Sequence, residues 1–267
     1  DNPVCAMPLA NSGAYVDLEE FGILTQSGVS GEGTWQLAAP GSAIEFYGQN
    51  SGNNILITED GYVYLEAFGP KPAANADIPN PASPNNLIAM LWRDMVAVYD
   101  LDANKGLSLA NLTSGGVPVG HVIEWDDVHV KGQPTQTYDI EMYIQKAVDN
   151  TPGEYEVVIA YDNITGPKDI GTIGVENSTG TKGVKFAYND AALGDLSNGM
   201  AICFDWVLMS AVKTITFQVT VDEGSADLLT NVALHENNQM GTVEERAIAV
   251  VQLPASIKNI YVPLLFK

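Results

Sequence analysis

The run Leu87–Trp92 constrains this chain more than any other stretch, because six consecutive apolar residues, LIAMLW, stand between segments rich in turn residues. Pro81 and Pro84 precede the run, and Arg93-Asp94 follows it. A proline fixes φ and has no backbone donor, so the entry is expected to be a rigid loop. Such a run is typical of a strand buried on both faces, or of a short core segment. The rest of the chain is expected to be arranged around it.

Turn residues and alternating segments predict an all-β fold. The chain has 25 Gly and 14 Pro, and its periodic segments are rich in Val, Ile, Thr and Tyr. Asn53–Ala67 predicts a hairpin around Glu59-Asp60-Gly61, since Asp-Gly favours the positive φ of a tight turn. Gly120–Val130, Thr137–Ala147 and Tyr155–Tyr161 predict an antiparallel meander. The expected architecture is an antiparallel β-sandwich of jelly-roll-like topology.

Strict alternation along Gly120–Val130 places Glu124 and Asp126 on one face and Asp127 and His129 on the other. On this interpretation the four side chains cannot meet at one point, because successive residues of a strand face opposite ways. Polar decoration of the sheet is therefore favoured over an acid–base site.

The charge balance excludes several partners. Twelve Lys and Arg stand against 33 Asp and Glu, which gives a net charge of −21. A field of this sign repels phosphate backbones and anionic lipid, so neither nucleic acid nor a membrane surface is an expected partner. No window reaches the roughly 18 apolar residues of a membrane-spanning helix, so membrane insertion is not expected. The N-terminal DNPVCAMPLANSG is not an uncleaved signal peptide and fits a mature end left after processing.

Two cysteines, Cys5 and Cys203, have no His or Cys near them at metal-ligand spacing. In a secreted chain they would form one disulfide closing most of the sequence, worth about 4–5 kcal/mol on the chain-entropy model. Two buried free thiols are the alternative.

Calcium is the one metal that the sequence suggests, and no cofactor is required. Asp100, Asp102 and Asn104 alternate in DLDANKG, as oxygen ligands of a calcium loop do. Lys105 occupies the sixth position, where the EF-hand loop has Gly, and Asn111 occupies the twelfth, where it has Glu. A polar hairpin turn explains the same residues.

No catalytic constellation is found, and an enzyme is not predicted. Gly-x-Ser-x-Gly and the phosphate-binding loop are absent, and His235-Glu236 lacks the second His of a zinc-protease motif, since Gln239 stands there. Three glycosylation sequons, at Asn111, Asn163 and Asn177, are expected in turns, and chance is the default explanation. Exposed Tyr and Trp could stack on sugars, but core packing is the favoured use.

A set of segments carries a family resemblance. In order they are FYGQ (Phe46–Gln49), ILITEDGYVYL (Ile55–Leu65), IPNPASPNNLIAMLWRDM (Ile78–Met95), VIEWDDV (Val122–Val128), YDIEMYI (Tyr138–Ile144) and IGVENSTGTKGVKFAYN (Ile173–Asn189). Together they resemble the accessory β-sandwich module of large secreted bacterial proteins, which is found downstream of subtilisin-like protease domains. The general plan is also similar to that of nidogen-type extracellular domains. The resemblance covers about residues 13–190. Arg93 departs from it, since the family usually has an Asp there, and the resemblance implies no catalytic residue.

The last seventy residues differ from the rest of the chain in sequence pattern and carry a second resemblance. KTITFQVTVDEG (Lys213–Gly224) and LTNVALHENN (Leu229–Asn238) resemble the closing strands of immunoglobulin-like repeats in bacterial surface proteins. The predicted domains are a β-sandwich over 1–197 and a smaller immunoglobulin-like unit over 198–267. An immunoglobulin-like sandwich needs about seven strands, but only four or five are expected here, so its interior must be covered by something else.

The resulting hypothesis is a non-enzymatic extracellular or cell-surface protein that forms a filament or surface assembly by exchanging strands between copies. The donor would be Asn2–Ala10 or Asn259–Phe266, and the apolar positions of the latter are Ile260, Val262, Leu264 and Phe266. Two alternatives stay open. The tail could complete a sheet within its own chain, or the chain could be an accessory module of a secreted subtilisin-like protease or adhesin that binds substrate, glycan or cell wall.

Overall fold

The computed structural model describes residues 5, 15–38, 43–66, 68–146 and 155–206 with their side chains, together with the backbone of four later strands. Contacts divide the chain into two compact units, Asp1–Val207 and Leu208–Lys267.

Strands are the main regular structure of the first unit. Its described residues form no α-helix, only 3-10 turns at Leu18–Phe21 and Ala191–Asp195. The strands of this unit, in chain order, are β1 (Trp35–Ala38), β2 (Glu45–Phe46), β3 (Gln49–Asn50), β4 (Ile55–Thr58), β5 (Tyr62–Tyr64), β6 (Leu87–Trp92), β7 (Met95–Val96), β8 (Gly106–Ser114), β9 (Val117–Val130), β10 (Gln133–Gln145), β11 (Val157–Asp162), β12 (Thr172–Glu176), β13 (Gly183–Tyr188) and β14 (Met200–Phe204).

Two six-stranded antiparallel sheets form a sandwich. Sheet I has the order β1-β4-β5-β6-β12-β13, and sheet II has the order β14-β11-β10-β9-β7, with β8 also paired to β9. Between them lies one large apolar cluster, to which both sheets contribute fully buried side chains such as Ile57, Ile88, Trp125, Ile140 and Ile159. The all-β sandwich is therefore confirmed, as are the hairpin through β4 and β5 and the meander β9-β10-β11.

Strand β6 is buried on both faces, as its apolar run predicts, with every residue at most 1% exposed. Ile88 and Met90 face the core between the sheets, whereas Leu87 and Ala89 belong to a second apolar cluster on the outer side. A β-bulge interrupts the alternation, because Met90 and Leu91 together oppose Ile173 of β12. The carbonyl of Gly61 accepts hydrogen bonds from both bulge amides, at 2.9 and 3.2 Å.

Gly61 is required at the turn before β5. Its φ is +71°, and a Cβ there would lie 2.6 Å from the carbonyl oxygen of Leu91. An L side chain would be strained by the backbone angle and would also collide with the bulge.

Each sheet carries a second apolar cluster on its outer face, under a segment without strand structure. On sheet I the cover is Pro70–Ile78, which packs over Tyr62, Tyr64 and Trp92. On sheet II the cover is Tyr15–Phe21, which packs Val16 and Leu18 against a cluster with members on β8, β9, β10 and β11. These two segments are called the proline cover and the N-terminal strap below.

The second unit contains β15 (Lys213–Thr220), β16 (Leu228–His235), β17 (Glu245–Gln252) and β18 (Asn259–Phe266). β15 pairs with β18 over eight residue pairs, and β16 pairs with β17 over eight, so the described backbone forms two separate two-stranded ladders. β17 and β18 lie next to each other without forming a common sheet.

Two expectations require correction. The division between the units falls after Val207, not after residue 197, because β14 pairs with β11 and so completes sheet II. The strand expected within Gly13–Thr25 is not formed by the described residues of that range, where Asp17 instead caps a 3-10 turn and Gly22 ends it.

Candidate functional site

The most unusual feature of the sandwich is a pair of buried glutamates on the outer side of sheet II. Glu124 of β9 and Glu141 of β10 stand directly opposite each other in the ladder. Their exposed fractions are 0% and 1%. Carboxyl groups are almost never buried so completely without a cation, because moving a charge out of water is very costly. This pair therefore needs a specific explanation.

The N-terminal strap supplies the donors. The Tyr15 hydroxyl donates to Glu124 Oε1 at 2.7 Å, and the Leu18 amide donates to the same oxygen at 3.2 Å. The Val16 amide donates to Glu141 Oε2 at 3.0 Å. The strap and the sheet thus satisfy each other's buried polar groups, because the carboxyls accept hydrogen bonds from backbone amides that belong to no strand. The strap also covers the apolar cluster beside the carboxyls.

Burial dominates the electrostatics of the pair. It raises the pKa of Glu124 to about 7, although the bonds from Tyr15 and Leu18 act in the opposite direction. Burial and the nearby charge of Glu124 raise the pKa of Glu141 to about 9. Ionising both of two adjacent carboxyls in a low-dielectric site costs a large electrostatic free energy. At neutral pH the pair therefore holds at least one proton.

Next to the pair, a β-bulge brings three aspartates together. Tyr138 pairs with Val128 and Ile140 pairs with Trp125, so Asp126 and Asp127 both oppose the single residue Asp139. Asp127 has a positive φ of 52°, and its amide donates to Asp139 Oδ1 at 2.9 Å. The strict alternation expected along β9 is therefore wrong beyond Trp125, and carboxyls assigned to opposite faces do meet.

The aspartate group is accounted for by protein contacts. One oxygen from each of Asp126, Asp127 and Asp139 lies within 4.8 Å of the others. Lys105 Nζ binds Asp127 Oδ2 at 2.7 Å. Burial raises the pKa of Asp126 and of Asp139, and each aspartate adds to the shift of Asp126 by repulsion. We assign the three residues to an ion-paired bulge and assign no metal to them.

The loop in which calcium is expected is a hairpin turn. Asp100 Oδ1 accepts hydrogen bonds from the amides of Asp102 and Ala103, at 3.1 and 3.2 Å, and the backbones of Asp100 and Lys105 pair. Asn104 is 6% exposed and adopts a positive φ of 50°. These contacts correspond to the polar-turn alternative, and calcium binding by Asp100, Asp102 and Asn104 stays a prediction.

The sequons occupy different environments. Asn111 lies within β8 and not in a turn, and its Oδ1 lies 2.9 Å from Nδ1 of His121. Asn163 follows β11 and is exposed. Asn177 lies in the turn after β12, where its side chain accepts from the amides of Thr181 and Lys182.

Cys5 and Cys203 form a disulfide with a Cα–Cα distance of 5.8 Å across 198 positions. Cys203 lies on β14, so the bond ties the segment that precedes the strap to the edge strand of sheet II. The alternative of two free thiols is thereby excluded.

A cavity of about 310 Å³ opens between β1 and the β8–β9 hairpin. Its polar lining is Gln26, Gln36, Asn111 and His121, and its other walls are aliphatic. Gln36 Nε2 donates to Gln26 Oε1 at 2.8 Å. Burial lowers the pKa of His121, so the described lining carries no net charge at neutral pH.

Neither buried glutamate was singled out as a site from the sequence. A signal was present: Glu141 sits between Ile140 and Met142, and Glu124 between Ile123 and Trp125, in strands otherwise dominated by apolar residues. Alternation alone places such glutamates on a solvated face, because it does not show that a distant segment returns to cover that face.

Comparison with known protein families, with curated proteins and with solved structures finds no match to this chain. Among the described residues, no helix is long and apolar enough to cross a membrane.

Proposed function

We propose that this chain is a non-enzymatic structural protein of the cell exterior that joins to copies of itself by exchanging strands through its second unit. The observation that carries the proposal is the division of β15–β18 into two separate two-stranded ladders. A two-stranded ladder is at best marginally stable in water. Such a ladder can therefore open, which leaves β15 free to pair with β18 of another copy.

Strand β18 is the proposed donor, and Pro263 indicates how it would be used. Pro263 pairs with Thr216 in the middle of the β15–β18 ladder. Proline has no N–H and is tolerated in a strand where that side faces away from the ladder. The outer edge of β18 therefore lacks a central donor and is a poor site for a further strand.

Exchange avoids this obstacle. In a polymer, β18 of one copy would occupy β15 of the next copy in the register that it adopts within its own chain, as in domain swapping. The contact is head-to-tail and does not close on itself, so it leads to a filament. An extracellular location is supported by the Cys5–Cys203 disulfide, because such bonds persist in oxidising compartments.

The test uses the full chain. Light scattering and negative-stain electron microscopy should show polymers that grow with protein concentration. A synthetic Asn259–Phe266 peptide should cap them and shorten them, and a peptide of the same composition in scrambled order serves as the control. Deletion of Asn259–Lys267 should abolish polymers while leaving the first unit folded by circular dichroism. A monomer at every concentration, or polymers that persist after the deletion, would overturn the proposal.

The second candidate is an accessory module that binds a glycan, and the cavity between β1 and the β8–β9 hairpin favours it. Its neutral lining combines amides and an imidazole with aliphatic walls, which suits an uncharged polyhydroxylated ligand. Titration with neutral mono- and disaccharides, followed by amide chemical shifts on β1 and β8, distinguishes this function. Saturable shifts confined to the lining would support it, and their absence would remove it.

A further inference from the structure

The strap and the glutamate pair belong to one device, which is independent of strand exchange. The strap is not held by a ladder, because its described residues pair with no strand. Its polar attachments to sheet II are the three hydrogen bonds to Glu124 and Glu141. Its apolar attachments are Val16 and Leu18, which are 8% and 1% exposed. The state of two carboxyls therefore decides how firmly this segment is held.

Among the residues that the structure describes, no cation offsets the charge of the pair. The titratable groups that act on it are Tyr15 and Asp17 from the strap, Asp126 from β9 and Asp139 from β10. All of them are neutral or acidic. The remaining elements of this face contribute uncharged side chains. Ser108 of β8 stands opposite Glu124, and the others are the apolar Ala110, Val158, Ala160 and Ala201. Lys105, on the neighbouring hairpin, is bound to Asp127.

One atom has no partner. Glu124 Oε2 is buried and makes no hydrogen bond within the described part of the chain, while Oε1 accepts two. An ionised carboxylate with a buried, unsatisfied oxygen is unfavourable, whereas a protonated one carries no charge to solvate. The geometry thus favours a proton on the pair as long as the strap excludes water.

We propose that the N-terminal strap is a pH-sensitive cover of sheet II, closed while the glutamate pair retains a proton and loosened when both glutamates are ionised. Ionisation of the second glutamate places two adjacent negative charges beneath the strap, and water must enter to solvate them. Since Cys5 is bonded to Cys203, a loosened strap stays tethered to sheet II. Opening of the strap would expose to solvent the apolar cluster of Val122, Tyr143 and Val158 next to β14.

Hydrogen exchange followed by mass spectrometry tests the cover on the full chain. With intrinsic rates corrected, the protection of the Val16 and Leu18 amides should fall about tenfold between about pH 6 and about pH 10. Peptides from β10 and β11 should retain their protection over the same range, because the sandwich core stays closed.

Glu141→Gln is the decisive variant. Glutamine keeps an oxygen for the Val16 amide and cannot ionise, so the strap should remain protected at both pH values, and Glu124→Gln should behave similarly. Glu20→Gln is the control, because Glu20 is an exposed residue of the same strap and should leave the wild-type response unchanged.

Three outcomes would overturn the proposal. They are equal protection of the strap at both pH values in the wild type, an undiminished loss in both glutamine variants, and a loss of protection in β10 and β11 that accompanies the loss in the strap. The strand-exchange test does not depend on this result, because it concerns the second unit.

Discussion

The two outer faces of the sandwich are covered in chemically different ways. Over sheet I, carbonyl oxygens of the proline cover accept hydrogen bonds from ring donors: Pro72 accepts from Trp92 Nε1 at 2.9 Å and from the Tyr62 hydroxyl at 3.2 Å. Over sheet II, the strap donates to carboxyl groups. Neutral donors and acceptors keep their strength at every ordinary pH, whereas carboxyls change charge. One cover is therefore constitutive, and the other depends on pH.

The aromatic packing strengthens this contrast. Tyr62 packs against Tyr64 and Trp92 with ring centroids 5.4 and 4.8 Å apart, beneath the proline cover. Such aromatic pairs stabilise the fold by more than the burial of their apolar area alone would give. On the outer face of sheet II the cluster contains Tyr143, with Tyr15 and Tyr155 packed against it, and the strap is also attached through hydrogen bonds to carboxyl groups.

The largest expected effect concerns the disulfide, which joins the segment before the strap to β14 of sheet II. Replacing Cys5 and Cys203 by Ser should lower the free energy of unfolding of the first unit by about 4–5 kcal/mol on the chain-entropy model. Tryptophan fluorescence in urea reports this unit selectively, because the four Trp residues, at 35, 92, 125 and 206, all lie within it. Wild-type protein treated with a reductant is the matched control. A loss below about 1 kcal/mol would show that the denatured chain gains little freedom.

Removal of the main aromatic anchor on sheet I comes next. Trp92→Ala should cost about 3–5 kcal/mol, because it creates a cavity in the outer cluster and removes one of the two donors to the Pro72 carbonyl. The cost should be the same at about pH 6 and about pH 9, since no acid takes part. Trp35→Ala is the control: its side chain is 43% exposed, and a small change is expected. A cost that varies strongly with pH would contradict the constitutive nature of this cover.

The third prediction concerns pH itself. Because the pKa of Glu141 and that of Glu124 are higher in the folded state than in the unfolded chain, folding takes up protons between these values. The stabilisation is complete below the unfolded pKa and is lost as pH rises through the folded values near 7 and 9. Urea unfolding should therefore show stability falling from about pH 5 to about pH 9.

Glu141→Gln separates the contribution of the pair from that of other acids. It should raise the free energy of unfolding at about pH 9 by about 2–4 kcal/mol relative to the wild type and have little effect at about pH 5. Asp60 and Glu176, whose pKa values burial also raises, should maintain part of the slope. An identical slope in the variant and the wild type would refute the assignment.

The smallest effects come from a matched pair of hydroxyl deletions, one in each cover. Tyr62→Phe removes the bond to Pro72 and should cost about 1 kcal/mol at any pH. Tyr15→Phe removes the bond to Glu124 and should cost about 1 kcal/mol near pH 5 but about 2 kcal/mol near pH 8, where Glu124 is ionised and Glu141 keeps its proton, since a bond to an ionised acceptor is stronger. Parallel urea titrations of both variants measure the difference. Equal pH profiles would remove the contrast between the covers.

Local sequence patterns were sufficient for the strands of the sandwich. The apolar run of β6, the alternation of β10 and the Asp-Gly turn before β5 each depend on neighbours in sequence, and the structure confirms them. In the second unit, β15 lies within Lys213–Gly224, β16 overlaps Leu229–Asn238 and β18 coincides with Asn259–Phe266, which are segments expected to form strands.

What could not be predicted depends on contacts between distant residues. The two bulges, at Met90-Leu91 and Asp126-Asp127, exist because a partner strand has one residue fewer at that point. The burial of Glu124 and Glu141 depends on a strap that lies more than 100 positions away, which strand periodicity does not reveal. The candidate site was therefore hidden in residues that were expected to be solvated.

The disulfide has a mechanical consequence. Tension applied to the two ends of the chain would pass from Cys5 directly to Cys203 through the sulfur atoms, so the residues between them would bear none of it. In a filament, only the parts of the chain before Cys5 and after Cys203 would stretch. Single-molecule pulling should thus show no extension from the sandwich until a reductant is added, when the 198 positions between the cysteines become available.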